Sequence, residues 1–260
     1  RRMAVRALGR LARPELVEQI TPSLNDASAD VRAEAANALA QSVTDLKPAG
    51  PDLDHAANDA AAINRIFGLL EARFKVESDP ATRGVIFRTI GRLSYPDESS
   101  YRRAEKMLLP SAAGEGAEAA PARLSEIYGA AKGMEALLRR KPKPIQVDEA
   151  LIARLKTMVL SKPSNEPGVE AVEEESARLR RLALMALTWA GRLDEAMLEA
   201  ALFDPDEQVR RLVFFGWGRM GSGAVSPEAA ERLTSRGLAD LSEPVRWDAL
   251  RMLGRTRIDR

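Results

Sequence analysis

The sequence predicts an all-α chain, an alpha-alpha superhelix of about six to seven stacked helical hairpins. Three observations carry this. One helical tract recurs along the 260 residues. An earlier amphipathic helix and a short turn precede most of its copies. The composition, 30% charged and 5% aromatic with abundant Ala, Leu and Arg, suits long helices with small residues at close contacts.

The tract is clearest from Asp30 to Ala40 (DVRAEAANALA). It returns from Thr82 to Gly91, from Gln208 to Gly218 and from Pro244 to Gly254. Arg1 to Gly9 reads as the same unit without its beginning, which suggests a piece of a longer chain. The first Arg of each copy defines position zero: Arg1, Arg32, Arg83, Arg180, Arg210 and Arg246. At about 100° per residue, positions −1, +3, +6 and +7 form one stripe. In the second copy these are Val31, Ala35, Ala38 and Leu39; in the last, Val245, Ala249, Met252 and Leu253. That stripe is the expected buried face.

First helices are expected from Pro14 to Asn25 (Leu16, Val17, Ile20 and Leu24 inward) and from Asp59 to Val76 (Ile63, Ile66, Phe67 and Leu70). Asp194 to Phe203 and Pro227 to Leu241 play the same part later. The turns carry Asp26, Asp30, Asp79, Asp204, Asp206 and Asp240, residues fit for N-caps and turns. Position zero recurs after 31, 51, 97, 30 and 36 residues. The longest gap needs another unit, with a second helix at Ser125 to Arg140 and Ile127, Ala130, Met134 and Leu137 or Leu138 inward. Stretches 44–53, 111–121 and 161–176, rich in Pro, Gly or Glu, are expected loops.

A helix, a turn with Asp and often Pro, then Val-Arg leading a second helix with Ala-Leu-Gly near its end: the pattern resembles the HEAT-repeat family, an armadillo-like α-solenoid. It is strongest at 24–42, 203–221 and 239–256. The resemblance, to bacterial arrays among others, implies one solenoid over 1–260. It also implies that the position-zero arginines Arg32, Arg83, Arg180, Arg210 and Arg246 form a structural ladder. Their expected partners are Asp26, Asp79, Asp206 and Asp240. Such a fold says little of function by itself.

Composition narrows the chemistry. The absence of cysteine excludes disulfides, thiolate metal sites and cysteine nucleophiles from this segment. No apolar run is long enough to span a bilayer, so no membrane insertion is expected. A net charge of +1 argues against a globally basic nucleic-acid binder. The lone His55 cannot supply a zinc His pair, nor the His-Glu pairs of HEAT-like hydroxylases. Glu173-Glu174-Glu175 reads as a solvated loop, and Gly216-Trp217-Gly218 and Gly221-Ser222-Gly223 as helix-end glycines. No Walker loop, dinucleotide fingerprint or nucleophile elbow occurs. Neither catalytic residue, cofactor nor metal is expected.

Positions +1 and +5 point furthest from the buried stripe, with +9 at the flank. Across six copies, these eighteen positions hold ten arginines, Phe215, Trp189, Trp247 and no carboxylate. Glu34 and Asp248 flank them at +2. Second helices line the concave side when such repeats stack. The face therefore reads as a groove for a partner, with Arg88, Arg181, Arg211, Phe215, Trp247, Arg251, Trp189 and Arg219 its candidate contacts. Arginine offers forked donors and the aromatics offer anchors. The plain alternative is solvation, because Arg is an excellent helix former. Trp217 takes the core Leu position and is expected to be structural.

The favoured expectation is a non-catalytic scaffold that binds a protein partner or another domain of its own chain. One alternative is an accessory arm of a larger enzyme such as a cyclophilin-type prolyl isomerase. Another is nucleic-acid binding along the Arg ridge. HEAT-like DNA glycosylases use a catalytic Asp among aromatics, and Asp248 beside Trp247 is a faint echo. Compartment and oligomeric state are not legible.

Overall fold

The computed structural model describes residues 1–43, 53–109, 121–142, 145–161, 170–221 and 223–255, and their regular structure is helical throughout. The helical content and repeat order agree with an α-solenoid. The chain divides into two compact units, Arg1–Gln146 and Val147–Arg260.

In the first unit, α1 (Arg2–Arg10) is followed by short 3-10 turns around α2 (Val17–Ile20), then α3 (Ala29–Gln41), α4 (Leu53–Val76), α5 (Pro80–Arg92), α6 (Glu98–Leu108) and α7 (Pro121–Arg139). Helices α1, α3, α5 and α7 pack in sequence as one row. The region of α2, with α4 and α6, backs that row. The predicted stripe is buried: Val31, Ala35, Ala38 and Leu39 in α3, and Ile63, Ile66, Phe67 and Leu70 in α4. Leu16 and Ile127 are only partly buried.

The α5–α7 contact is the closest. Gly84 and Gly91 meet Ser125, Gly129 and Gly133 backbone to backbone. A Cβ on Gly133 would stand 2.5 Å from the Phe87 carbonyl oxygen, so only glycine fits there. The predicted stripe of small residues reaches its limit at this contact.

The second unit holds α8 (Glu149–Val159), α9 (Glu170–Ala190), α10 (Glu195–Ala201), α11 (Glu207–Met220), α12 (Pro227–Leu238) and α13 (Glu243–Leu253). Helices α9, α11 and α13 pack in sequence, backed by α8, α10 and α12. Most starts follow the capping rule. Asp79, Asp97, Asp148, Asp194 and Asp206 each accept a first-turn backbone N–H at 2.7–2.9 Å. Gly221 ends α11 at φ 92°, a conformation that suits glycine.

Three expectations need amendment. Helix α9 already begins at Glu170, so the 161–176 loop is too long by its last seven residues. Glu174 and Glu175 each pair with Arg178 a turn later, which favours helix over loop. Gly216 and Gly218 lie inside α11 rather than beyond its end. Helices α6 and α8 had no counterpart among the expected first helices. Stretches 44–53 and 111–121 lie outside the described residues, except that Leu53 opens α4 and Pro121 opens α7.

Candidate functional site

The position-zero arginines do two things at once. Each Nη1 of Arg32, Arg83, Arg210 and Arg246 donates to the carbonyl six residues earlier, at 2.8–3.1 Å. In Arg32 and Arg210, Nε and Nη2 fork onto a carboxylate of the following repeat. Arg32 takes Glu77 at 2.8 and 2.7 Å, and Arg210 takes Asp240 at 2.8 and 3.0 Å. Arg180, fully buried, forks onto Asp204 at 2.6 and 3.0 Å, and Arg83 onto Glu126 at 3.0 and 3.1 Å. Arg1 reaches Asp26 at 3.3 Å. The partners therefore differ from those expected. Asp26 and Asp240 are met, but Asp79 and Asp206 are helix caps, four residues before position zero. Of the carboxylates six residues before position zero, Glu77, Asp204 and Asp240 take forks, and Asp26 meets Arg1 through one contact. Each also accepts the N–H two residues on, at 2.8–3.0 Å.

Glu77 is the most loaded of these. Its side chain is fully buried between Arg32 and Arg73. Burial pushes its carboxyl up, but the Arg32 fork, the Asp79 N–H and Arg73 together bring it down to about 2. In Asp240, burial is likewise outweighed by the Arg210 fork and the Ser242 N–H, and the carboxyl falls below its ordinary value. These groups hold repeats together within each unit.

The outward set is less free than its sequence suggests. Arg181 forks onto the capping carboxylate of Asp206. Arg211 reaches Asp248 at 2.9 Å, and Arg251 reaches the same carboxylate at 3.3 Å. In the first unit, Arg6 grips Glu34 at 3.1 Å. For Arg6 and Arg211 the reason is stacking: the +5 or +1 position of one helix meets the +2 position of the next. Arg88 donates to the neutral Asn37 side chain at 3.2 Å. Sequence numbering along one helix shows which side chains share its face. It does not show which neighbouring helix answers them.

Aromatic side chains remain on this face in the second unit. Phe215 on α11 is 41% exposed and Trp247 on α13 is 57% exposed. Trp189 on α9 meets Phe215 edge-on, with ring centroids 5.8 Å apart. Arg219 lies over the Trp189 ring at 4.5 Å. The Trp247 indole N–H donates to Glu243 at 3.2 Å, which leaves the ring itself open. Trp217, by contrast, is 4% exposed, as its core position requires. Neighbouring helices thus present a cation-capped aromatic pair and a further exposed indole.

No His, Asp or Glu grouping among the described residues could hold a metal ion. His55 falls in α4, its side chain outside the described set. None of the described helices is long and apolar enough to cross a membrane.

The fold and the ladder define a class: a helical repeat stack with a polar spine and a decorated second-helix face. A family model for HEAT repeats matches residues 1–66. Two crystal structures of engineered proteins share the fold at 15% identity and a TM-score of 0.50. One alignment covers 92% of this chain and 95% of that protein; the other covers 97% of this chain and 63% of that protein. At that identity the likeness concerns the fold alone. No curated protein matches the sequence. The family match supports HEAT repeats in this chain, and the two structures share its fold. HEAT repeats are typical of protein-interaction domains and typically non-catalytic.

Proposed function

We propose that the chain is a non-catalytic interaction scaffold, and that the second-helix face of its second unit captures a partner protein segment. Both units are read as parts of one repeat array. The observation that carries the reading is the exposed aromatic set. Phe215 and Trp247 occupy outward positions that solvation alone would fill with polar side chains. Aromatic and Arg side chains dominate binding energy at protein interfaces. Trp189, Phe215 and Trp247 supply anchors, Arg219 a cation beside them, and Arg211 and Arg251 a polar rim held by Asp248. Arg181 has a supporting role, since Asp206 already takes its fork.

Selection of displayed peptides against the intact chain tests this. Enriched peptides are expected to lose binding to Phe215→Ala and Trp247→Ala, but to keep it for Arg103→Ala on α6. Enrichment that survives both aromatic substitutions would place the binding surface elsewhere.

Nucleic-acid binding along the ridge is the second reading, and the structure makes it less favourable. Asp206, Asp248 and Glu34 neutralise arginines that phosphates would need. Binding to single- or double-stranded DNA that weakens steeply with salt would support it.

A further inference from the structure

A one-sided gathering of charge in the first unit lies where α5 and α7 end. Arg88 and Arg92 stand one turn apart on α5. Arg140, just past α7, donates to the Arg92 carbonyl oxygen at 2.9 Å and to Ser94 Oγ at 3.5 Å. Arg139 adds a fourth guanidinium and reaches Glu135, on its own helix, at 3.5 Å. No other carboxylate bonds to the group among the described residues. Arg88 uses Nη2 on the neutral Asn37, and its Nε is buried without an acceptor. The Arg92 side chain is partly buried and has neither hydrogen bond nor ion pair among the described residues. Burial, with Arg88, Arg140 and Arg139 nearby, lowers its pKa from the ordinary value.

Such a gathering is unlike the rest of the row, where Arg6, Arg32 and Arg83 each meet a carboxylate. Helix C-termini attract cations, and Arg140 answers that demand by bonding the Arg92 carbonyl. That does not account for Arg88 Nε or the Arg92 fork. Among the described residues, three guanidiniums here have no acidic partner. A monoanion would leave two of those charges uncompensated, whereas a dianion with several acceptor oxygens can serve donors from both helices.

We propose that Arg88, Arg92 and Arg140 form a binding site for a doubly charged tetrahedral oxyanion of the phosphate class. The site belongs to the first unit and does not depend on the aromatic face. Its ligand is either free phosphate or a phosphoryl group carried by a partner segment.

Arginine Nε–H NMR signals of the full chain, titrated with inorganic phosphate at constant ionic strength, test it. The Arg88 and Arg92 signals are expected to shift and saturate, while those of Arg211 and Arg219 stay in place. Arg92→Gln should weaken apparent affinity roughly ten-fold, the loss of one charge-assisted hydrogen bond. Arg140→Gln, at an exposed position, should do the same if Arg92→Gln disturbs folding. A phosphoserine peptide that binds about ten-fold tighter than inorganic phosphate assigns the site to a partner's phosphoryl group, by the gain expected of added contacts. Equal affinity assigns it to the free ion. Non-saturating shifts spread over all exposed arginines overturn the proposal, as does unchanged affinity in both variants.

Discussion

Glu77→Gln should destabilise the first unit by removing the most heavily shared carboxylate of its ladder. The substitution keeps an acceptor for the Asp79 N–H, which now bonds at 3.0 Å. It removes the charge that Arg32 and Arg73 share at 2.7 and 3.0 Å. A carboxyl at about 2 in the folded chain against 4.5 in the ordinary state favours folding by about 3 kcal/mol at neutral pH. The sign follows from the depressed pKa. The contribution is fully present above 4.5 and is lost as pH falls through about 2. The gap between wild type and variant should therefore narrow from about 3 kcal/mol at pH 7 to about 1 kcal/mol at pH 3. Urea unfolding followed by far-UV circular dichroism at the two pH values measures both gaps. A gap under about 1 kcal/mol at pH 7, or one that does not narrow on acidification, would refute the reasoning.

Gly133→Ala puts a methyl against the Phe87 carbonyl and should cost about 1–3 kcal/mol in the same assay, whereas Gly68→Ala, with open space around it, should not. Asp204→Asn breaks the fork on the fully buried Arg180 and should cost about 3–5 kcal/mol, read as a lower urea midpoint. Trp247→Ala and Phe215→Ala should leave stability within about 1 kcal/mol of wild type, because both rings are exposed, while abolishing peptide capture.

The repeat made the fold legible because its copies share a stripe: Val31, Ala35, Ala38 and Leu39 are buried, as are Val245, Ala249 and Met252, with Leu253 only partly so. Trp217 was legible for the same reason. The ladder was legible in its arginines and only half so in its acids. An acid six residues before position zero was visible at Asp26, Glu77, Asp204 and Asp240, but the more familiar cap positions at Asp79 and Asp206 drew the assignment. Caps and forks both use acids in the same turn, two residues apart, and their spacing does not say which acid an arginine of another helix will take. The outward face was legible as a set but not in its pairing. Arg211 with Asp248 and Arg6 with Glu34 join residues 37 and 28 positions apart, on helices whose contact the spacing along one helix cannot give. The stacking of Arg219 on Trp189 is of the same kind.

The three tryptophans permit the most direct test of the proposed surface, since Trp189 and Trp247 lie on it and Trp217 lies in the core. Indole N–H NMR signals of the chain, recorded as a selected peptide is added, separate the two environments. Shifts of Trp189 and Trp247 with Trp217 unmoved are predicted. Peptide binding that leaves Trp189 and Trp247 in place would contradict the assignment of that face to partner capture.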